Sequence, residues 1–164
     1  MIKNIVFDLG GVVVNYSPRK YLESKFSNLE LENYLYDLTF GSRAWRRMDL
    51  GVLDRETAES DMLKKARADG KLFEAQTVLD EWRYMMTPKN DTISLIKTLK
   101  IKGYKVYYLS NIPEDVFTDF CENYSFMSLF EGGVASYDVN MLKPQQEIYR
   151  LLLDKFSLFA VETI

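Results

Sequence analysis

Three short stretches hold residues whose types and spacing could do chemistry. "VFDLGGVVV", residues 6–14, runs an apolar strand pattern into a carboxylate, Asp8, and then into Gly10 and Gly11. "VYYLSN", residues 106–111, ends on Ser110 and Asn111, and "LKP", residues 142–144, sets Lys143 before a proline. A carboxylate at a strand end is a competent nucleophile toward phosphorus and can share an oxygen with a divalent cation. Glycines after it let backbone N–H groups approach a phosphate where a side chain would stand in the way. The Ser110 hydroxyl can donate to a phosphoryl oxygen, and the Lys143 ammonium offsets the charge that a carboxylate and a phosphate bring together. The combined chemistry is phosphoryl transfer. Singly, each group has a plainer reading: a turn-forming Asp, a Ser-Asn turn or cap, a solvated lysine. Their order relative to three strands carries the functional one.

The elements that must position these groups alternate. A buried strand is expected over Lys3 to Asp8, a second over residues 105–111 and a short third over "GGVAS", residues 132–136. Between the second and third lies a helix opened by Pro113, with Val116, Phe117, Phe120 and Tyr124 on one face. Asn90 or Asp91 can cap the helix before the second strand, and Gly103 stops it. Pro144 opens a last helix with Ile148, Leu151, Leu152 and Phe156 inward. Strands alternating with helices imply a parallel sheet with right-handed crossovers, an α/β Rossmann-like core with helices on both faces. In such sheets ligands bind at the carboxyl ends of the strands. About seventy residues from Pro18 to Thr87 read as all helix, with stripes at Leu31, Tyr34, Leu35 and Leu38 and at Ala75, Val78, Leu79, Trp82 and Met86. The expected division is a core of residues 1–17 and 88–164 and a helical cap of residues 18–87.

Composition narrows the function classes. At 164 residues with 47% hydrophobic content, one domain with a sizeable core is expected. A net charge of −3 offers no basic field for nucleic acid, and no apolar run is long enough to cross a membrane. Cys121 is the one cysteine, so a reducing, cytoplasmic setting is expected. The chain has no histidine, which excludes Ser-His-Asp and Cys-His nucleophile systems and His-ligated metals within it. The sequence does not set an oligomeric state.

The three stretches resemble the first, second and third motifs of the haloacid dehalogenase-like (HAD) superfamily of Mg-dependent phosphotransferases. The helical insertion sits where many members carry a cap, and the resemblance spans essentially the whole chain. It implies that Asp8 is a nucleophile that becomes an aspartyl-phosphate, with Ser110 and Lys143 completing the catalytic set. It implies Mg²⁺ as cofactor, held by Asp8 and the main-chain carbonyl of Gly10. Substrate contacts are expected from Gly11, Asn111 and the cap residues Trp45, Arg46 and Arg47, with Arg43 beside them. The implied function is a phosphatase of a small phosphorylated metabolite. A haloacid dehalogenase, in which the same Asp attacks carbon without a metal, and a non-catalytic binding protein on the same scaffold are the alternatives.

Two departures from the family pattern matter. Most phosphatases of the superfamily carry a second Asp two residues after the nucleophile, which protonates the leaving oxygen; here that position is Gly10. Loss of a positioned general acid costs about 10²–10⁴ in rate. A branch with this Asp-x-Gly motif resembles sugar-1-phosphate phosphatases, which implies a preference for good leaving groups such as anomeric or acyl phosphates. The family's fourth motif, an acidic pair on a further strand, is not reached by Ile164. That strand is expected to open near Glu162, beside the first strand, whose edge would otherwise be unpaired. The expectation is a truncated form of a longer enzyme, with weak Mg²⁺ binding and little turnover.

Overall fold

The computed structural model describes residues 1–164. Strands β1 (Asn4–Phe7), β2 (Lys105–Ser110) and β3 (Gly132–Ala135) form one parallel sheet in that order. Phe7 lies opposite Tyr108, and Ser110 opposite Ala135. Parallel pairing brings all carboxyl ends to one edge, so Asp8, just past β1, and Ser110, closing β2, emerge together.

Every connection is helical. After β1 come α1 (Pro18–Phe26), α2 (Leu29–Leu38), α3 (Arg43–Asp49), α4 (Arg55–Ala68) and α5 (Leu72–Glu81), then a 3₁₀ turn over Trp82–Met85. Helix α6 (Asn90–Ile101) leads into β2, and α7 (Glu114–Asn123) joins β2 to β3. Helices α8 (Ser136–Val139) and α9 (Gln146–Lys155) follow. The starts of α3 and α4 are fixed by side chains: Trp45 N donates to Ser42 Oγ at 3.0 Å and Thr57 N to Asp54 Oδ1 at 2.7 Å. Two helix starts differ from expectation. Asn90 is the first residue inside α6 and Lys89 precedes it, while α9 begins at Gln146, two residues after Pro144.

Both faces of the sheet are covered, as an α/β Rossmann-like fold requires. Leu109, Val134, Ile148 and Leu152 form a small cluster beneath α9. On the other face a cluster of 26 buried residues runs from Leu9, Val13 and Val106 through Phe120 and Ile96 into the helical insertion at Leu35, Trp45, Val78 and Trp82. Sheet and insertion thus share one core. Full burial of a large apolar side chain contributes about 1.5–3 kcal/mol, so the insertion is held to the sheet mainly by apolar packing.

The free edge of β1 is partly closed. Lys3 N donates to Glu162 O at 2.9 Å, Val6 N to Ile164 O at 2.7 Å and Ile164 N to Asn4 O at 3.1 Å, with Thr163 parallel to Asn4. Where a strand was expected to open near Glu162, a 3₁₀ turn over Ala160–Glu162 leads into a single parallel bridge at Thr163, and the edge expected to be bare is covered as far as Val6. No helix is long and apolar enough to cross a membrane.

Candidate active site

Asp8 is held from two sides. Leu9 N donates to its Oδ1 at 2.8 Å, and Lys143 Nζ lies 2.7 Å from its Oδ2 while also donating to Leu109 O at 2.9 Å. Lys143 is itself fixed through its backbone by Asn111. Its N donates to Asn111 Oδ1 at 2.8 Å, and Asn111 Nδ2 donates to its carbonyl at 3.2 Å. The sequence separation of 32 residues between Asn111 and Lys143 is thereby closed by a two-point clamp. Ser110, 1% exposed, ends the neighbouring strand on the same edge. The structure therefore brings Asp8, Ser110, Asn111 and Lys143 together. Asn111 uses its amide oxygen and one of its two amide N–H groups on Lys143, which makes it a positioning residue while leaving one N–H at the cleft.

The loop after Asp8 is wound tightly on Leu9, whose carbonyl accepts from Val12, Val13 and Val14 N at 3.3, 2.9 and 2.9 Å. Gly11 takes φ +77°, which a glycine adopts without strain, and its N donates to Val14 O at 2.7 Å. The expected substrate contact from Gly11 is corrected on this point: its amide is spent on the turn. Gly10 instead keeps both its N–H and its carbonyl free of backbone partners.

Two openings flank these residues. A cleft of about 70 Å³ between the strand ends and the insertion is lined by Gly10, Ser110 and Asn111 on one side and by Tyr16, Trp45, Asp49 and Trp82 on the other. Asp8 and Lys143 face a groove of about 360 Å³ along the outer side of β1, with Val6, Leu152, Thr163 and Ile164. The two share no lining residue but flank the same strand ends, Asp8 standing two residues before Gly10 and Leu109 next to Ser110. Trp45 packs tilted against Phe40 and edge-to-face against Trp82, at centroid distances of 4.8 and 4.9 Å. Arg46 and Arg47 do not join it. With Arg43 they are exposed on the outer face of α3, because the helical period that turns Trp45 and Met48 inward turns them away.

Three groups in or over the cleft were missed by the sequence reading: Asp49, Tyr16 and Arg55. Asp49 follows Trp45 by four residues, so the helical spacing that buries the tryptophan also brings the acid onto the inner face; that spacing was the available signal. The end of α3 is tied down by its backbone. Ser136 Oγ donates to Asp49 O and accepts from Ile112 N at 2.9 Å, and Asn140 Nδ2 donates to Leu50 O at 2.8 Å. Gly51 then turns at φ +71°, where a Cβ would overlap the Tyr137 carbonyl. Burial pushes the Asp49 carboxyl up to about 7; the Arg55 charge opposes this and the Asp115 charge adds to it. Burial also raises the Tyr16 phenol, with Asp49 contributing.

Arg55 clamps the insertion to α7. Its Nε and Nη2 donate to the two carboxylate oxygens of Asp115 at 3.0 and 3.2 Å, Arg83 joins the same carboxylate, and the guanidinium lies 4.9 Å from the Trp45 ring. Burial opposes ionisation of Asp115, but the Arg55 hydrogen bonds and the two arginine charges outweigh it and hold the carboxyl below its ordinary value. No group of three or more Asp, Glu or Cys side chains converges anywhere in the structure to hold a metal.

Comparison with known proteins decides the family. The model of the haloacid dehalogenase-like hydrolases matches residues 2–161. The chain belongs to the haloacid dehalogenase-like hydrolases. It is 26% identical over 162 residues to the sesquiterpene phosphatase AstK of Aspergillus oryzae, covering 99% of this chain and 78% of that protein. Its fold matches a HAD family enzyme of Bacteroides thetaiotaomicron with a TM-score of 0.71 at 23% identity, over 99% of this chain and 82% of the other. The complex of that enzyme with magnesium and inorganic phosphate matches with a TM-score of 0.70 at 22% identity, over 99% and 83% of the two chains. The L-2-haloacid dehalogenase of Xanthobacter autotrophicus matches with a TM-score of 0.64 at 17% identity, over 99% and 68%. As a HAD hydrolase related to a phosphatase, the chain is a hydrolase.

Proposed function

We propose that this HAD hydrolase is a Mg²⁺-dependent phosphomonoesterase that cleaves a small phosphorylated metabolite through an aspartyl-phosphate on Asp8. The observation that carries the reading is the Asp8 carboxylate, aimed from the mouth of β1 and held between the Leu9 N–H and the Lys143 ammonium. An Asp8 oxygen attacks phosphorus, and the ester P–O bond breaks with its electron pair leaving on the alcohol oxygen. Lys143 offsets the added charge, while Ser110 and the free Gly10 N–H donate to the phosphoryl oxygens. Water then attacks phosphorus, the bond to Asp8 breaks, and phosphate leaves.

The donor set suits Mg²⁺, which usually takes one or two carboxylates and fills its shell with water and substrate oxygens. Asp8 and the unpaired Gly10 carbonyl would hold it, and it would neutralise charge on the transferring group. With one carboxylate, the 164-residue chain binds the ion weakly. In this reading residues 18–87 are a cap over a core of residues 1–17 and 88–164, working in a reducing, cytoplasmic setting. The cleft, at about 70 Å³, admits a phosphoryl group but not a whole metabolite, so the cap lifts for substrate to arrive. Its walls of Tyr16, Trp45, Trp82 and Met86 suit a carbon-rich alcohol better than the sugar phosphate suggested by the first motif, and the relationship to a sesquiterpene phosphatase agrees.

The test is phosphate release from a panel of sugar, alkyl and prenyl phosphates with Mg²⁺ and with EDTA. Release that EDTA abolishes is expected. Halide release from 2-haloacids, indifferent to EDTA and without phosphate release, would favour the dehalogenase reading.

A further inference from the structure

An alcohol oxygen leaves phosphorus poorly unless a proton arrives as the bond breaks, and Gly10 stands where that proton would be carried. The cleft nonetheless contains a carboxyl group. Building on the phosphatase reading above, we propose that Asp49 protonates the leaving oxygen and then takes a proton from the attacking water, supplying from the cap the acid and base that Gly10 cannot supply from the β1 loop.

The geometry favours this role. Asp49 lines the same small cleft as Gly10 and Ser110, on the wall opposite the strand ends, where the alcohol portion of a bound ester must lie. Its position is set by its backbone, through Ser136 on its carbonyl and Asn140 on the next one. The carboxyl therefore need not hold the structure together, and no hydrogen bond stabilises its charged form. The groups facing it are Tyr16 from the loop after β1, Arg55 from α4 and, behind Arg55, Asp115 from α7. Arg55 is committed to Asp115 through a two-point bond, so it tempers the acid without pairing with it. The indoles of Trp45 and Trp82 complete an apolar surround. A carboxyl pushed by burial to about 7 carries a proton in part of the population at neutral pH and can give it up and retake it, as an acid that becomes a base requires.

The steps balance. In the first, Asp8 forms its bond to phosphorus, the ester P–O bond breaks, and the Asp49 proton goes to the departing oxygen, giving the neutral alcohol and an Asp49 carboxylate. In the second, that carboxylate accepts a proton from water as the water oxygen bonds to phosphorus and the Asp8 bond breaks, restoring both carboxyl groups to their starting states. One consequence revises the sequence expectation: esters of ordinary alcohols come within reach. Another is that the acid is in place only while α3 is seated on the core, which couples cap closure to bond cleavage.

The experiment uses the full chain and its Asp49→Asn variant, with an alkyl phosphate and with p-nitrophenyl phosphate, whose leaving group departs without a proton. Asp49→Asn is expected to lower kcat/KM on the alkyl phosphate by about 10²–10³ while moving kcat/KM on p-nitrophenyl phosphate by no more than about threefold, because kcat/KM reports the first step and the base role enters only in the second. The p-nitrophenol burst should persist while kcat on that substrate falls through the shared second step, and the alkaline limb of the alkyl phosphate kcat/KM profile, near pH 7 in the unaltered chain, should vanish. Adding Gly10→Asp to Asp49→Asn should restore part of the loss; a Cβ at Gly10 meets nothing closer than Tyr16 at 3.9 Å. Equal losses of kcat/KM on the two substrates, or none on the alkyl phosphate, overturn the proposal. An unaltered chain that turns over p-nitrophenyl phosphate but not the alkyl ester overturns it too and leaves the phosphatase reading standing. A chain that releases phosphate from neither overturns both.

Discussion

At the strand ends, Lys143 links Asp8 to Asn111 and to the backbone, and each side-chain polar atom of the three has a partner at hydrogen-bond distance. On the insertion side, the Asp49 carboxyl and the Tyr16 hydroxyl stand among indoles with no hydrogen bond to settle their protonation. The first wall is preorganised: its charges are fixed before a substrate arrives, so little reorganisation is left for the reaction. The second holds groups whose charge is not fixed by a partner. The difference teaches that the proposed nucleophile and the proposed proton carrier are placed by separate means, one by a local network and the other by packing between distant parts of the chain.

The comparison can be broken most severely on the fixed side. Lys143→Ala should cost about 10²–10³ in kcat for any phosphate ester, since it removes the cation beside Asp8, and steady-state kinetics would show it. A loss confined to KM would mean that the network binds without acting in the transition state.

A smaller effect is expected at the junction of the two walls. Arg55→Ala removes the two-point bond from α4 to Asp115 and should lower stability by about 1–2 kcal/mol, read as a fall of several degrees in Tm. A variant as stable as the parent would locate the attachment of the insertion wholly in its apolar core.

The smallest effect concerns the mobile proton. Asp49 titrates near 3.8 when unfolded and about 7 in the fold, so folding takes up a proton between those values. Below the unfolded value there is no penalty for burying it, and above pH 7 the penalty is fully present. Tm should therefore decline as pH rises from 4 to 7, and Asp49→Asn should flatten part of that decline. Parallel curves for the two proteins would show that the surroundings of Asp49 do not resist its charge.

The fixed side was also the legible side. Strand ends, glycines and the Lys-Pro pair announce themselves locally, because a parallel sheet collects its carboxyl ends whatever the intervening chain does. The α3 and α4 caps at Ser42 and Asp54 and the apolar stripes of α2 and α5 were legible for the same reason: capping and helical periodicity are short-range. The insertion wall was not. Arg46 and Arg47 attracted the substrate role through their charge, whereas burial of Trp45 decided which face of α3 turned inward, and it brought Asp49 with it. Gly11 was read as a phosphate donor because glycine permits close approach, but the turn that uses its φ also uses its N–H. The spacing of Asp49 from Trp45 was visible; Ser136 and Asp115 lie tens of residues away, and only the packed fold assembles them with Arg55 around it.

The central claim is that Asp8 carries the phosphoryl group, and the most direct measurement is the mass of the peptide containing Asp8 after acid quenching during turnover. The account predicts one phosphoryl group on that peptide, absent in Asp8→Asn, which releases no phosphate. Phosphate release by the unaltered chain with the Asp8 peptide unmodified, or continuing in Asp8→Asn, would contradict it.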